Sequence, residues 1–189
     1  MNFKRIVITG APGTGKTSVI KALESGDFHC FHEVIRTMTL AVKAEENPNL
    51  SLGNPIAFVS DAKQFNQQLL DGRLKQYKDA LKANQELVFY DRGMPDVLAY
   101  MDYFKQAFTT EFFDICNTHR YDAVFLLPPW EDIYIQDNER LETYVQATEL
   151  HEHLKNTYTN LGYKVIEVPF GTVAKRLSFI LEHKAISRA

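Results

Sequence analysis

Apolar positions along the chain follow two periods, one typical of strands and one typical of helices. Five apolar runs have the length of a buried β-strand. Between them, apolar residues recur at helical spacing, as Val19, Ile20 and Leu23 do on one face of a first helix. Buried strands that alternate with helices predict a parallel sheet covered on both faces. The predicted strands span residues 3–9, 28–32, 87–90, 122–127 and 163–168.

Glycine, proline and capping residues mark the predicted helix boundaries. Gly26 ends the first helix, Pro95 suits the first turn of another, and Gly162 ends the helix before the last strand. The long helical region is expected to bend or break near Gly72. The predicted helices cover residues 17–24, 33–46, 56–83, 95–104, 110–117 and 139–161, and a last helix capped by Gly171-Thr172 that turns Val173, Leu177, Ile180 and Leu181 inward.

Sheets of this kind bind ligands beyond the carboxyl ends of their strands. The residues that directly follow strands are therefore expected to converge in space, although they lie far apart in the sequence. These residues are 10–17, Glu33, Asp91, Arg92, 128–130 and 169–171.

The first of these segments carries the most specific motif. Residues 10–17 read GAPGTGKT and match the phosphate-loop pattern G-x-x-x-x-G-K-[ST] at every fixed position. In such a loop backbone N–H groups surround a phosphate, the lysine reaches the β- and γ-oxygens, and the last hydroxyl ligates Mg²⁺. A predicted strand precedes the loop and a helix N-terminus, which also favours phosphate, follows it. We predict nucleotide contacts for Gly10, Ala11, Pro12, Gly13, Thr14, Gly15, Lys16 and Thr17, with Lys16 also catalytic and Thr17 a magnesium ligand.

Asp91 and Arg92 follow the buried run LVFY. An aspartate in this position supports Mg²⁺ or activates the nucleophile in phosphate-loop proteins, and the adjacent arginine can contact a phosphate. The alternative is that Asp91 only caps the next helix and Arg92 pairs locally. We predict that both are catalytic and that Asp91 also ligates magnesium, whereas Asp96 is expected only to cap the helix at Pro95.

Glu33 and Arg36 form an E-x-x-R pair at the start of the second predicted helix. Residues three apart share a helix face, so Glu33 can bind or deprotonate a substrate hydroxyl while Arg36 steadies an anionic group. An exposed ion pair is the alternative explanation of this spacing. Arg73, in the long middle helix, is a further candidate for the substrate pocket, although most polar helical residues are merely solvated.

The segments after the last two strands are candidates for closing the site. Residues 129–141 follow the fourth strand, where phosphotransferases often carry a lid that brings an arginine to the phosphoryl group. Arg140 is the candidate arginine, yet the segment is otherwise acidic, as an ordinary solvated helix start also is. Phe170 and Gly171 are predicted to line the adenine pocket, and the alternative for Phe170 is a place in the core.

Composition narrows the class of protein. A chain of 189 residues predicts a single domain over 1–189, and 45% hydrophobic with 24% charged residues is ordinary for a soluble protein. The net charge of −3 argues against a nucleic-acid partner. No stretch approaches the ~20 apolar residues of a membrane span. Two cysteines and no signal peptide predict a cytoplasmic protein, and we expect a monomer or homodimer.

Six motifs together resemble a known family. They are ITGAPGTGKT at 8–17, HEVIRT at 32–37, FYDRGMPD at 89–96, FLLPPWED at 125–132, NERLETY at 138–144 and VIEVPFGTV at 165–173. With them the chain resembles the small predicted ATPases labelled AAA, which are related to the kinase domain of ribosylnicotinamide kinases and, more distantly, to deoxynucleoside and thymidylate kinases.

The resemblance implies both a fold and a site. The implied fold is α/β, a P-loop NTPase fold of the nucleoside/nucleotide-kinase type, with a five-stranded parallel sheet in the order 2-3-1-4-5. Further implications are MgATP held by Lys16 and Thr17, Glu33 near the phosphoryl acceptor, the pair Asp91-Arg92 as the DR signature of the kinases, and Arg140 in the lid.

Three functions remain open on the sequence alone. The leading one is a small-molecule kinase that transfers the γ-phosphoryl group of ATP to a nucleoside- or nucleotide-like acceptor. A slow NTPase acting as a switch and a non-catalytic nucleotide sensor are the alternatives. All three require ATP at the phosphate loop, with Mg²⁺ as the companion ion.

Overall fold

The computed structural model describes residues 3–35, 62–83, 85–134 and 143–186. In these ranges strands alternate with helices, and two short 3₁₀ turns lie at Ala80–Lys82 and Glu131–Ile133. The strands are β1 (Lys4–Gly10), β2 (His29–Phe31), β3 (Leu87–Asp91), β4 (Ala123–Leu127) and β5 (Val165–Glu167). The helices are α1 (Lys16–Ser25), α2 (Ala62–Asp79), α3 (Pro95–Tyr103), α4 (Thr110–Thr118), α5 (Tyr144–Asn160) and α6 (Val173–Glu182).

The five strands form one parallel sheet in the order β2-β3-β1-β4-β5. In its register Ile8 of β1 pairs with Asp91 of β3, and Gly10 pairs with Leu127 of β4. The fold and the strand order are therefore confirmed. Because all strands run the same way, the residues that follow them meet at one edge of the sheet.

Alternate residues of each strand face opposite sides of the sheet. On β1, Val7 packs against α2, α3, α4 and α5, while Ile6 and Ile8 pack against α1 and α6. The same alternation places Val88 and Tyr90 of β3 on one side and Phe89 on the other. Both faces are thus covered by helices, as predicted, and the carboxyl edge is the part of the sheet where polar groups collect.

The predicted interruption of the helix near Gly72 is wrong, because α2 continues from Ala62 to Asp79. Gly72 lies where α2 comes close to Val34, and a Cβ built on the glycine would be 2.6 Å from Val34 Cγ1. The missing side chain therefore permits close packing of two segments and does not interrupt the helix.

The helix predicted from residue 139 begins at Tyr144 instead, with Thr143 as its N-cap. Gln146 N donates to Thr143 Oγ1, and Thr143 N donates to Gln146 Oε1 at 2.8 Å, which forms a capping box. In α6, Thr172 caps the helix as predicted and Ile180 is buried. Val173, expected to point inward, is exposed because it occupies the first turn, before the helix reaches the sheet.

Some predictions lie outside the described residues. They are the helix over 33–46 beyond Ile35, the first part of the 56–83 helix, Arg36 and Arg140. Among the described helices, none combines the length and the apolar character needed to cross a bilayer.

Candidate active site

The phosphate loop lies between β1 and α1, as the motif predicts. Gly13 and Gly15 have φ angles of 78° and 86°, in the left-handed region that favours glycine. At Gly10, a Cβ would lie 2.5 Å from the Leu127 carbonyl oxygen, so a larger residue would displace β4. The loop ends at the N-terminus of α1, where backbone N–H groups without intrahelical partners favour an anion.

Lys16 is buried at the base of this loop. Its Nζ donates to the Ala11 carbonyl oxygen at 2.8 Å, and Thr14 Oγ1 donates to the same oxygen at 2.9 Å. Burial, with a smaller contribution from the nearby Arg92 charge, lowers the pKa of Lys16 to about 7 against the opposing effect of the nearby carboxylates. Removal from water is thus the main reason that the ammonium form of this lysine is disfavoured.

Charged side chains are concentrated around the loop. Seven Asp, Glu, Lys and Arg residues are buried in the described part of the chain, and all of them lie at the loop or beside it. Buried ionisable groups in one cleft are typical of functional sites. The seven are Lys16, Arg176 and five residues that we call the acid–arginine cluster: Glu33, Arg73, Asp91, Arg92 and Asp96.

Glu33 lies between two guanidinium groups of this cluster. Arg73 Nη2 donates to Glu33 Oε1 at 2.8 Å, and Arg92 Nε donates to Oε2. Arg73 comes from α2, and its Nη1 also donates to the Gly93 carbonyl oxygen at 2.9 Å. Both carboxylate oxygens of Glu33 therefore accept charge-assisted hydrogen bonds, which compensates its buried charge.

The chain turns sharply after β3. Asp91 ends the strand, and Arg92 follows with φ 74°, a left-handed conformation that is uncommon for arginine. Arg92 N still donates to the Ile8 carbonyl oxygen at 3.0 Å, so the turn stays attached to β1. The guanidinium lies 5.2 Å from the centre of the Tyr100 ring. Such backbone strain is concentrated at functional sites in proteins.

Asp96 is fully buried and accepts four hydrogen bonds. Its Oδ1 accepts from Thr9 Oγ1 at 2.5 Å and from Arg92 Nη1 at 3.2 Å. Its Oδ2 accepts from Tyr158 OH at 2.6 Å and from Gly93 N at 3.0 Å. The bond from Gly93 N joins Asp96 to the turn before α3, where Met94 is the N-cap residue, and the other three join Asp96 to β1, to Arg92 and to α5.

A second group of residues contacts the other half of the loop. Arg176 of α6 donates from Nη1 to the Thr14 carbonyl oxygen at 2.8 Å and lies 5.1 Å from the Trp130 ring centre. Trp130 stacks on Phe170, with centroids 5.4 Å apart. The Tyr134 ring rests on Gly13, where a Cβ would be 2.8 Å from Tyr134 Cδ2. An aromatic and cationic surface therefore borders the loop.

The structure brings five predicted residues together in or beside the acid–arginine cluster, although three of them come from separate elements. They are Lys16, Glu33, Arg73, Asp91 and Arg92. Phe170 belongs to the second group, where it is 55% exposed and hence not the core residue of the alternative. Arg36 and Arg140 are outside the described residues, so their roles stay predictions.

Sequence reasoning gave too little weight to Asp96 and missed Arg176 and Tyr134. Asp96 had a detectable signal, because it stands four residues after Arg92, the spacing at which helical side chains meet. Arg176 had none, since its partner Thr14 is 162 residues away in the chain. Its role becomes visible only once α6 packs against α1.

Magnesium is the metal that the motif implies. In the part of the chain that the structure describes, no three His, Cys, Asp or Glu side chains are arranged to hold a metal ion by themselves. Thr17 lies in the first turn of α1 and Asp91 at the end of β3, and both carry hard oxygen donors. This donor set fits an ion bound chiefly by phosphate oxygens and water.

A family model described as AAA domain matches residues 5–176 of the chain. Among curated proteins, no significant match was found. Three solved structures that match this chain are 11–19% identical to it, so their likeness concerns the fold.

The NadR protein, solved in complex with NR, matches with a TM-score of 0.73 and 18% identity over 98% of this chain. The chain spans about half of NadR, 53% of its length. Deoxyadenosine kinase from M. mycoides, solved with dATP, gives a TM-score of 0.60 and 19% identity, over 94% of this chain and 97% of the kinase. Thymidylate kinase from Ehrlichia chaffeensis gives 0.59 and 11%, over 96% and 98%.

Proposed function

The chain belongs to the AAA domain family, and we propose that it is a small-molecule kinase. In this proposal it transfers the γ-phosphoryl group of ATP to a hydroxyl of a nucleoside-like acceptor. The supporting observation is that the phosphate-loop lysine, Lys16, shares one buried environment with Asp91, Glu33 and Arg92. A loop that only stored nucleotide would not need a buried carboxylate pair beside it.

ATP would lie on the loop amides of residues 10–17, with its base toward the surface formed by Trp130 and Phe170. Lys16 would exchange its bond to the Ala11 carbonyl for the β- and γ-oxygens. Thr17 and Asp91 would hold Mg²⁺, which would supply charge neutralisation at the phosphates. The NadR and deoxyadenosine kinase structures, which contain AMP-PNP and dATP respectively, support a nucleotide in this fold.

The charges of the cluster favour a hydroxyl acceptor over a phosphate acceptor. Arg92 is already paired with Glu33 and Asp96, and Arg73 with Glu33. The charges of these four residues therefore sum to zero, so that they attract a second phosphate only weakly, while the remaining N–H groups of Arg92 can still donate hydrogen bonds to the transferred group. The oxygens of Glu33 each have a further lone pair that can accept a hydrogen bond from an acceptor hydroxyl.

Two carboxylates are candidates for activating that hydroxyl. Asp91 or Glu33 would orient or deprotonate it, while Arg92 stabilises the negative charge that spreads over the transferred group. Arg36 and Arg140 would contribute to acceptor binding and to the lid. Together these residues would fix the acceptor in line with the γ-phosphorus, which is the main source of rate in phosphoryl transfer.

The proposal predicts ADP release that depends on an acceptor. A panel of nucleosides, nucleoside monophosphates and vitamins with free hydroxyls would be assayed with MgATP, against a blank without acceptor. We expect a nucleoside-like hydroxyl compound to stimulate turnover well above the blank. A panel with no stimulation would contradict the kinase, and stimulation by monophosphates alone would contradict the hydroxyl acceptor.

Two variants separate the kinase from the alternatives. Lys16→Ala is expected to weaken MgATP binding, as measured by calorimetry, whichever function is correct. Asp91→Asn is expected to lower kcat by about 10²-fold or more and to change Kd for ATP little, because Asp91 acts on the transition state. Asp71→Asn, on the exposed side of α2, is the matched control and should change neither.

The outcomes distinguish the three functions. Acceptor-independent ADP release that Asp91→Asn abolishes would indicate a slow NTPase. Tight MgATP binding without any ADP would indicate a sensor. If Asp91→Asn leaves acceptor-dependent turnover intact, the role of Asp91 is wrong even though the kinase stands.

A further inference from the structure

Asp96 carries more hydrogen bonds than a helix cap requires. A capping carboxylate needs one backbone N–H, which Gly93 supplies at 3.0 Å. Thr9, Tyr158 and Arg92 donate three further bonds to the same carboxylate, and none of its surface is exposed. Burial of an ionised carboxylate is costly, so this many donors point to a role for the charge itself.

The carboxylate of Asp96 is held in its ionised form. Burial opposes ionisation, but the charges of Arg73 and Arg92 and the hydrogen bonds from Thr9 and Tyr158 keep its pKa below the ordinary value. Asp96 is therefore a fixed negative charge beside the loop lysine, on whose pKa it also acts.

The partners of Asp96 connect the phosphate loop to the turn after β3. Thr9 immediately precedes Gly10, the first residue of the loop, and Tyr158 belongs to α5. Gly93 is enclosed so tightly that a Cβ on it would lie 2.6 Å from Tyr158 OH and 3.0 Å from Tyr121 Cε2. Contacts with Thr9 of β1, with Tyr158 of α5 and with Tyr121 thus determine the position of the turn after β3.

Arg92 is the residue that this arrangement constrains. Its backbone has a left-handed φ, and its guanidinium lies between Glu33 Oε2 and Asp96 Oδ1. Without Asp96, the guanidinium would keep Glu33 as its acidic partner among the described ion pairs and Tyr100 as its ring contact, but its Nη1 would lose its carboxylate. Asp96 supplies the second anchor, which defines a single direction for the side chain.

We propose that Asp96 is a positioning residue that holds Arg92 in the orientation needed for phosphoryl transfer and ties this orientation, through Thr9, to the phosphate loop. The inference rests on the proposed kinase function. Asp96 does not touch ATP or acceptor in this proposal, so it acts on kcat and leaves nucleotide affinity nearly unchanged. Tyr158 and Thr9 contribute to the same positioning because they hold the Asp96 carboxylate in place.

The first test compares hydrogen-bond deletions of matched size. Tyr158→Phe and Thr9→Val each remove one donor to Asp96, whereas Tyr77→Phe removes a tyrosine donor to the Arg120 carbonyl, away from the cluster. We expect kcat to fall by about 3–10-fold in the first two, with Kd for MgATP unchanged, from the energy of one hydrogen bond. Tyr77→Phe should lose comparable stability yet keep its kcat.

The second test asks whether Asp96 acts through Arg92. Asp96→Asn is expected to lower kcat by about 10–100-fold, the cost of misplacing a charged group at a reacting centre. If the effect passes through Arg92, the double variant Asp96→Asn/Arg92→Met has the kcat of Arg92→Met alone. Should Asp96→Asn fail to fold, the two hydrogen-bond variants carry the comparison by themselves.

A spectroscopic measurement tests the positioning role of Asp96 independently of kinase activity. The Nη1–H protons of Arg92, which donate to Asp96, should be protected from exchange with water, and Tyr158→Phe should weaken that protection while Tyr77→Phe does not. A wild-type protein without acceptor-dependent turnover would defeat the kinase proposal and leave this measurement in place. Unchanged protection in Tyr158→Phe, or effects of Asp96→Asn and Arg92→Met that multiply in the double variant, would overturn the positioning role.

Discussion

The phosphate loop and the acid–arginine cluster lie side by side but are built in opposite ways. The loop is a continuous stretch of eight residues whose shape depends on glycine conformations and backbone groups. The cluster draws Glu33 from the segment after β2, Arg73 from α2 and Arg92 from the turn after β3, and side-chain charges hold it together. One region is specified by local sequence, the other by the completed fold.

Because of this difference, we expect the loop to serve phosphate binding and the cluster to serve the chemical step. A backbone loop can hold a phosphate with little dependence on the rest of the molecule. A cluster of opposite buried charges is stable only when every partner is present, because a charge left alone is strongly unfavourable in the interior. Substitutions in the cluster are therefore expected to act mainly on the stability of the protein, and substitutions in the loop mainly on its affinity for the ligand.

The largest expected effect is in the cluster. Glu33→Gln leaves Arg73 and Arg92 without their shared carboxylate and should lower the free energy of unfolding by about 3–5 kcal/mol. Denaturant unfolding measures the loss. Glu24→Gln, the same change in a partly exposed residue paired with His32, is the control and should cost far less. Equal losses of unfolding free energy in the two variants would contradict the expectation that Arg73 and Arg92 depend on Glu33 to compensate their buried charges.

In the loop, removal of the Lys16 charge is expected to raise the free energy of unfolding, whereas removal of the Glu33 charge in the cluster lowers it. The folded pKa of Lys16 is about 7 against 10.5 unfolded, so between these values the unfolded chain binds more protons. The penalty on the folded state is complete below pH 7 and disappears as pH rises toward 10.5. We expect Lys16→Met to raise the free energy of unfolding by about 1–3 kcal/mol at pH 7, since the lost bond to Ala11 offsets part of the gain.

The pH dependence distinguishes this explanation from a packing effect. Unfolding measured from pH 6 to 10 should show the two proteins converging as pH rises. A stability difference that stays constant over this range, or a destabilised Lys16→Met at pH 7, would contradict the burial of a costly charge in the loop.

The smallest expected effect is a proton taken up on nucleotide binding. A pKa near 7 leaves Lys16 about half protonated at neutral pH, and bound phosphates favour the charged form. We expect an uptake of about half a proton per ATP at pH 7. Calorimetry in two buffers of different ionisation enthalpy measures it, and Lys16→Met should lack it. A binding enthalpy independent of the buffer would show that Lys16 is charged throughout.

The same comparison explains how far sequence reasoning reached. The loop could be predicted from residues 10–17 because its glycines and lysine act within one short segment. The strand order followed from the family resemblance. Arg73 was named only as one polar residue in a helix, since nothing local indicates that its partner is Glu33, 40 residues earlier. The role of Asp96 depends on hydrogen bonds from Thr9 and Tyr158, and these form only in the folded structure.

Errors of the sequence reasoning have the same origin. Gly72 looked like a helix breaker, but its role is defined by Val34, which approaches from another segment. Val173 fitted the apolar stripe of the last helix, yet it is exposed in the first turn of α6. At the start of α5 the signal was local, the Thr143 and Gln146 capping box, and it was overlooked in favour of an acidic stretch.

The hydrogen bond from Arg176 to Thr14 has a consequence for biosynthesis. The loop leaves the ribosome well before Arg176, which is made 162 residues later. At ordinary elongation rates the interval is about 8–30 s, during which the nascent loop lacks its last support. Ribosome-bound chains halted before residue 176 should thus retain ATP more weakly than chains extended well beyond it, so that full competence for nucleotide arrives only after Arg176 has been added.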